Sequence, residues 1–383
     1  MEKVLYLPNE ILIKILIFTQ NMHKFSILNK NINNIINYIV SNYNKLFIKI
    51  TKRNDWLNNL NYLVKKLIES KDLYAIVFLL NNYRGKTQEI INFYAGYYNY
   101  KELINLGLLN NYIKLGEGAA QGGHLKQVEY TIRMGVKNLN WLAYAAAKGG
   151  KLDIVKYLIP MDVKNLNYIA AYAAEYNHNE VVYYLLNNGA DDLKLISVYA
   201  AVGGNLDFIK YAINNGVTNY VVIGLKAAEN GRLNIVEFIY PRIPSTGILL
   251  ANAAAKYGHT NIILWLYTVN AINNQNIPEI AGIATKYDKL NVLKLLYSYF
   301  HFNLDDIMIM ATQNGFYDIV EWGIEHNVNI LPTIAIIATR FNHPDILKLA
   351  VENGASNYQE ILSLARMLGN VDIEIWIKER MKK

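Results

Sequence analysis

The chain has 383 residues, a formal net charge of +7, 52% hydrophobic residues and no cysteine. The missing cysteines exclude disulfides, thiol catalysis and the common zinc-finger frameworks, and no uncharged apolar run approaches the ~20 residues needed to span a membrane. The charge surplus is local: residues 1–66 hold ten Lys/Arg against three Asp/Glu, while the rest hold 28 of each.

The long neutral part lacks the clustered positive charge a nucleic-acid groove needs, so no nucleic-acid partner is expected. Pro8, Glu10 and Lys14 interrupt what would be the apolar core of a signal peptide, and an intracellular protein is expected.

The first element is the segment Leu7-Pro-Asn-Glu-Ile-Leu-Ile-Lys-Ile-Leu-Ile-Phe18. Proline near a helix start, glutamate in the first turn and a dense apolar stripe predict an amphipathic helix. With Phe25-Ser-Ile-Leu-Asn-Lys-Asn-Ile32 after it, the segment resembles an F-box over about 40 residues, although Ile32 stands where that family has a tryptophan. The resemblance implies packing on the adaptor Skp1 of a host cullin ubiquitin ligase, through Leu7, Pro8, Glu10, Ile11, Leu12, Ile15 and Leu16. The alternative is a helical cap, which any repeat stack needs at its end. The expected domains are an F-box-like segment 1–45, a helical connector 46–66 and a repeat array 67–383.

From there one pattern dominates. An Ala-Ala-x-x-Gly signature recurs every 27 residues, its second alanine (position p) falling at Ala120, Ala147, Ala174, Ala201, Ala228 and Ala255. After a small insertion near Asn273-Asn274-Gln275 the phase resumes at Thr285, Thr312, Thr339 and Arg366. A fixed period of this size means stacked units that cannot bury their apolar faces alone, so an all-α solenoid of about 11–12 helix-turn-helix units is predicted. Position p−1 is alanine in all ten units, and p−5 is Leu or Ile. This i, i+4 pair marks one buried helix face, with a neighbouring helix so close that nothing larger than alanine fits.

Position p+3 is Gly, Asn or Asp throughout. These residues tolerate the left-handed backbone that ends a helix. At p+6 nine units carry Asp, Asn or Glu, suited to the first turn of a second helix. The p+10 column is aromatic in eight units, from Tyr130, Tyr157 and Tyr184 to Trp322 and Trp376, and reads as stacked core packing.

Ala119-Ala-Gln-Gly-Gly-His-Leu125, Ala254-Ala-Lys-Tyr-Gly-His259 and Asn188-Gly-Ala-Asp191 are similar to the ankyrin repeat from about Leu67 onward. The family's Thr-Pro-Leu-His opening is absent, and the period is about six residues short of 33, which removes most of the hairpin finger. Short repeats of this kind resemble ankyrin-like proteins of giant DNA viruses. The chain's 30 tyrosines and its wealth of Asn, Ile and Lys fit an AT-rich genome, and host cytoplasm is the expected location.

Apparent catalytic signals fail on spacing. Gly85-Lys-Thr87 has Leu80 where a phosphate-binding loop needs glycine, and Gly116, Gly118 and Gly122 miss the dinucleotide spacing. His124, His178, His259 and His343 share the p+4 column, but equivalent positions lie about 10 Å apart, too far to share a metal, so cap or loop hydrogen bonding is expected. No enzyme, cofactor or metal is expected. The first-helix face opposite the buried stripe is left for a protein target: Tyr144 and Asn252 at p−3, and Lys148, Glu175, Glu229, Lys256, Lys286, Gln313 and Arg340 at p+1. In ankyrin arrays this face is the concave one. Two functions are open: an adaptor that also recruits the ubiquitin machinery, or a stand-alone scaffold with a capped end.

Overall fold

The computed structural model describes residues 56–82 and 85–382. The F-box-like segment, with Leu7, Pro8, Glu10, Ile11, Leu12, Ile15 and Leu16, and the connector up to residue 55 lie outside the described residues. Among the described residues there are twelve pairs of α-helices and no strand. They fall into two compact units that meet in sequence at Ile196 and Ser197.

The first unit runs through α1 (Trp56–Glu69), α2 (Leu73–Asn82), α3 (Lys86–Tyr97), α4 (Lys101–Asn105), α5 (Tyr112–Gly122), α6 (Leu125–Arg133), α7 (Leu139–Lys148), α8 (Leu152–Leu158), α9 (Leu166–Glu175) and α10 (Asn179–Leu186). The expected boundary between residues 66 and 67 falls inside α1. The sequence division at Ile196 lies within α11 (Leu193–Gly203). The second unit continues with α12 (Leu206–Asn214), α13 (Tyr220–Glu229), α14 (Leu233–Ile239), α15 (Gly247–Tyr257), α16 (Thr260–Thr268), α17 (Ile277–Lys286), α18 (Leu290–Phe300), α19 (Asp305–Asn314), α20 (Tyr317–Glu325), α21 (Leu331–Arg340), α22 (Pro344–Glu352), α23 (Tyr358–Met367) and α24 (Val371–Arg380). Within each unit, the first helix of a repeat packs on its own second helix and on the first helix of the next repeat.

The buried columns are those the periodicity selects. All ten p−1 alanines are 0% exposed, from Ala119 to Ala365. The p−5 residues, such as Leu115, Ile169 and Ile280, are buried beside them. In the second helices the core positions are p+7, p+8 and p+11, as in Ile154, Val155 and Leu158. Thr285, Thr312 and Thr339 replace alanine at p and are fully buried. Each hydroxyl donates to the carbonyl four residues back, Ala281, Met308 or Ala335, at 2.7–2.8 Å, so no polar group is stranded.

Two glycine requirements shape the stack. Between α3 and α5 the backbones nearly touch: a Cβ at Gly118 would lie 1.8 Å from the Phe93 carbonyl oxygen, so no side chain fits. At p+3 every unit has positive φ, from 54° at Asp288 to 92° at Gly123, which ends the first helix as predicted.

The p+3 glycine has a second role, set by the residue at p+4. His124, His178, Arg232, His259 and His343 are N-caps whose side chains do not cap their own helices. They reach back instead to a carbonyl at or near the C-terminus of the preceding first helix. His178 Nε2 lies 3.1 Å from the Lys148 oxygen, Arg232 Nε 2.9 Å from Val202 and His259 Nε2 3.0 Å from Glu229. A carbonyl only accepts, so each imidazole donates from Nε2. These oxygens belong to the last turn, which has no intrahelical donor. The reaching side chain lies flat on the preceding p+3 glycine: a Cβ on Gly150 would sit 2.5 Å from His178 Nδ1. Where p+3 is Asn342, the next p+4 residue is Asn370, which donates to the Asn342 side-chain oxygen at 2.8 Å. The histidine column thus hydrogen-bonds as expected, but to the preceding repeat rather than as caps of its own helices.

The aromatic p+10 column differs from expectation. Trp322 is buried, but Tyr130, Tyr157, Tyr184, Phe238, Trp265 and Trp376 are half-buried and Tyr211 is exposed. The position flanks the core stripe rather than lying in it, and cations cover several rings: Lys156 over Tyr184 and Lys210 over Phe238, both at 5.8 Å.

Candidate interaction face

All the row residues lie on first helices: Tyr144 and Lys148 on α7, Glu175 on α9, Glu229 on α13, Asn252 and Lys256 on α15, Lys286 on α17, Gln313 on α19 and Arg340 on α21. With p−5, p−4 and p−1 buried throughout, and p buried in every repeat but the last, where Arg366 is exposed, helical periodicity turns p−6, p−3 and p+1 to the other side. The structure gives this face a different chemistry in each unit.

In the first unit it is aromatic. Trp141 packs edge-on against Tyr144 with ring centroids 6.0 Å apart, and Tyr144 meets Tyr172 at 5.3 Å. Trp141 and Tyr168 are 54% and 48% exposed, so two large rings face water beside two that are held in place. Burial raises the Tyr144 phenol above its ordinary value, against a hydrogen bond with Asn165. Lys148 lies over the Tyr176 ring at 5.2 Å. Partial burial pushes the Glu175 carboxyl upward, opposed by Lys148.

In the second unit the face is ionic at its start and cation–aromatic at the helix ends. Glu229 pairs with Lys226 at 2.7 Å, and Asn252 donates to Glu279 Oε1 at 2.6 Å. Lys256 lies 5.1 Å from the Tyr257 ring and 4.9 Å from the Tyr287 ring, and Lys286 lies 5.8 Å from Tyr287. A hydrogen bond with Tyr257 and the neighbouring phenols hold the Lys256 ammonium above its ordinary value. Lys286, Gln313 and Arg340 are exposed.

Sequence reasoning missed Trp141, Tyr168, Tyr172 and Tyr176 in one unit and Tyr257, Tyr287 and Phe341 in the other. Their signal lies in the p−6 and p+2 columns, except for Tyr172 at p−2.

A cavity of about 160 Å³ lies elsewhere, among Ile68, Glu69, Lys71, Tyr98, Asn99, Tyr100 and Glu102. It is below the ~300 Å³ at which small-molecule sites begin. Tyr98 donates to Glu69 Oε1 at 2.6 Å and Tyr100 to the Lys71 carbonyl at 3.1 Å. Burial, then the bond to Glu69, raises the Tyr98 phenol far above its ordinary value, and burial pushes Tyr100 up to about 12. These phenols tie α1 to the turn after α3. Among the described residues no group of acidic and histidine side chains could hold a metal, and no helix is long and apolar enough to cross a membrane.

The family model for ankyrin repeats, in three copies, matches residues 117–196, within the aromatic-faced unit. No curated protein matches the chain. The described residues are all-helical, with ankyrin repeats at 117–196, as in an α-solenoid, and such repeats indicate a scaffold for protein–protein interaction.

Proposed function

We propose that the chain is a non-catalytic adaptor whose first-helix face holds a target protein. The observation that carries this reading is the row of Trp141, Tyr144, Tyr168 and Tyr172, half locked by mutual packing and half open to water. Tyr and Trp dominate the energetic centres of protein interfaces, and they lose little conformational entropy on binding. The row Tyr144, Lys148, Glu175, Glu229, Asn252, Lys256, Lys286, Gln313 and Arg340 supplies the polar contacts around them.

The second half of the proposal is that residues 1–45 recruit Skp1 of the host ubiquitin ligase, with 46–66 as connector and 67–383 as the target-binding array. Its support is the Leu7-Pro-x-Glu-Ile-Leu start and the local basic surplus. The setting is host cytoplasm and the source a giant-DNA-virus genome, on the strength of composition and repeat length. The full chain, expressed in host cells, should co-purify Skp1, and Leu12→Asp should abolish this while helicity by circular dichroism stays unchanged. Absence of Skp1 from the wild-type preparation would leave the stand-alone scaffold.

A further inference from the structure

The second unit repeats a dyad that the scaffold reading does not require. From Lys256 onward, positions p+1 and p+2 are a cation followed by a large apolar residue at Lys256-Tyr257, Lys286-Tyr287 and Arg340-Phe341; Gln313-Asn314 interrupts the series, and the last repeat has Met367-Leu368 there, its arginine, Arg366, standing at p. The cation alone has an ordinary explanation, because the C-terminal end of a helix attracts positive charge. The neighbouring apolar residue does not. Tyr257, Tyr287 and Phe341 are 46%, 38% and 48% exposed, next to Lys256, which is half-buried, and Lys286 and Arg340, which are exposed.

The charges are also available. Arg366 is paired with Glu374 at 2.9 Å, but among the described residues Lys256, Lys286 and Arg340 have no carboxylate within ion-pair distance. This is not a general basic surface: residues 197–383 hold 15 Lys/Arg and 16 Asp/Glu. At p−6 stand the exposed acids Glu279 on α17, Asp306 on α19 and Glu360 on α23; Glu279 shares its helix with a dyad, about 10 Å away along the axis. A uniformly charged phosphate backbone would meet that acidic row as well as the cations, whereas a peptide can place carboxylates on one side only. The aromatic rings suit aliphatic side chains lying between the acids.

The spacing sets the register of such a peptide. Successive first helices lie about 10 Å apart, and an extended chain rises about 3.3 Å per residue. Three residues of partner therefore match one repeat. Lys256 already reaches from its own repeat to the ring of Tyr287 in the next, so the first two dyads adjoin, and the ridge continues to Arg340-Phe341 with Gln313 in place of one cation.

We propose that this ridge binds an extended segment of a partner protein carrying a carboxylate at every third residue, with Lys256, Lys286 and Arg340 taking the carboxylates and Tyr257, Tyr287 and Phe341 the side chains between them. The inference rests on the reading of the first-helix face as a protein-binding surface, and it names the class of ligand taken by the second unit.

The test uses the full chain and fluorescently labelled twelve-residue peptides, read by anisotropy. One peptide carries glutamate at positions 1, 4, 7 and 10 among threonine and valine; a second has the same composition with the four glutamates adjacent. The first should bind at least tenfold more tightly and weaken as salt is raised. Lys286→Glu with Arg340→Glu should lower its affinity at least tenfold, with helicity unchanged, and a peptide with lysines at the same four positions should then bind the variant better than the wild type. Equal binding of the two peptides, no loss in the double variant, no binding at all, or preferential capture of a single-stranded oligonucleotide by the wild type would each overturn the inference. A photoreactive residue at Tyr168 that still captures a protein in cells would show that the scaffold reading survives that failure. Failure of both would remove both.

Discussion

The two units share buried columns and differ in exposed ones. In the first, the seam between first helices is alanine and glycine, and the open face is the ring cluster around Trp141 and Tyr144. In the second, threonine enters the seam at three positions and the open face carries cation–apolar dyads on α15, α17 and α21 and acids at the start of α17, α19 and α23. The buried positions tolerate only what another helix backbone allows, and threonine passes because its hydroxyl is satisfied within its own helix. The exposed positions are under no such limit. Stability is therefore written in columns common to every repeat, and the proposed recognition in columns that change from one unit to the other.

The largest effect should come from Gly118→Val. A Cβ there meets a backbone carbonyl rather than a side chain that can turn aside, so the cost should exceed about 4 kcal/mol, the range reserved for severe core lesions. Loss of helicity and of cooperative unfolding in the first unit checks it, and a wild-type melt would mean α3 and α5 are not in contact. In the second unit, Ala227→Leu overpacks the fully buried seam and should cost about 1–3 kcal/mol, whereas Lys256→Ala should be near neutral. Similar denaturation midpoints for the two would erase the distinction between seam and face.

A gain is expected at Gln127. It stands at p+7, where the other nine repeats have Val, Ile or Phe. It is buried, and neither its amide nitrogen nor its oxygen has a partner. An unsatisfied buried polar group costs about 1–3 kcal/mol, so Gln127→Ile should raise stability by an amount in that range in urea titration.

The smallest effect concerns Glu175. Burial raises its carboxyl above the ordinary value, so the folded chain retains a proton that the unfolded chain has already lost. Its contribution to stability therefore falls as pH rises from the unfolded value through the raised one, and stays low above it. Glu175→Gln should melt slightly higher than wild type at pH 7, and the difference should vanish below about pH 4. A wild type more stable than the variant at neutral pH would reverse the assignment.

Much of the fold was legible because a fixed period makes columns readable. The p−1 alanines and the left-handed p+3 residues needed only their own recurrence. The p+4 histidines announced a capping role, but not that they reach the previous repeat, because that contact depends on how units stack. The p+10 aromatics misled because a residue three after a core position need only flank the stripe. The candidate face was half legible. Tyr144 and the p+1 row stood out, while Trp141 and Tyr168 did not, since p−6 starts at Lys114, is apolar from Trp141 to Leu249 and turns acidic at Glu279, Asp306 and Glu360. A column that changes character averages to nothing, and change of character is what a recognition surface shows.

The division between buried and recognising columns is tested most directly by photo-cross-linking in cells. A photoreactive residue is placed, one at a time, at Tyr168 and Gln313 on first helices and at Tyr157 and Tyr211 on second helices. Discrete adducts with another protein should form from the first-helix positions, be lost from Tyr168 in the Trp141→Ala background, and be absent from the second-helix positions. Adducts formed equally well from the second helices, or only from them, would contradict the assignment of recognition to the first-helix face.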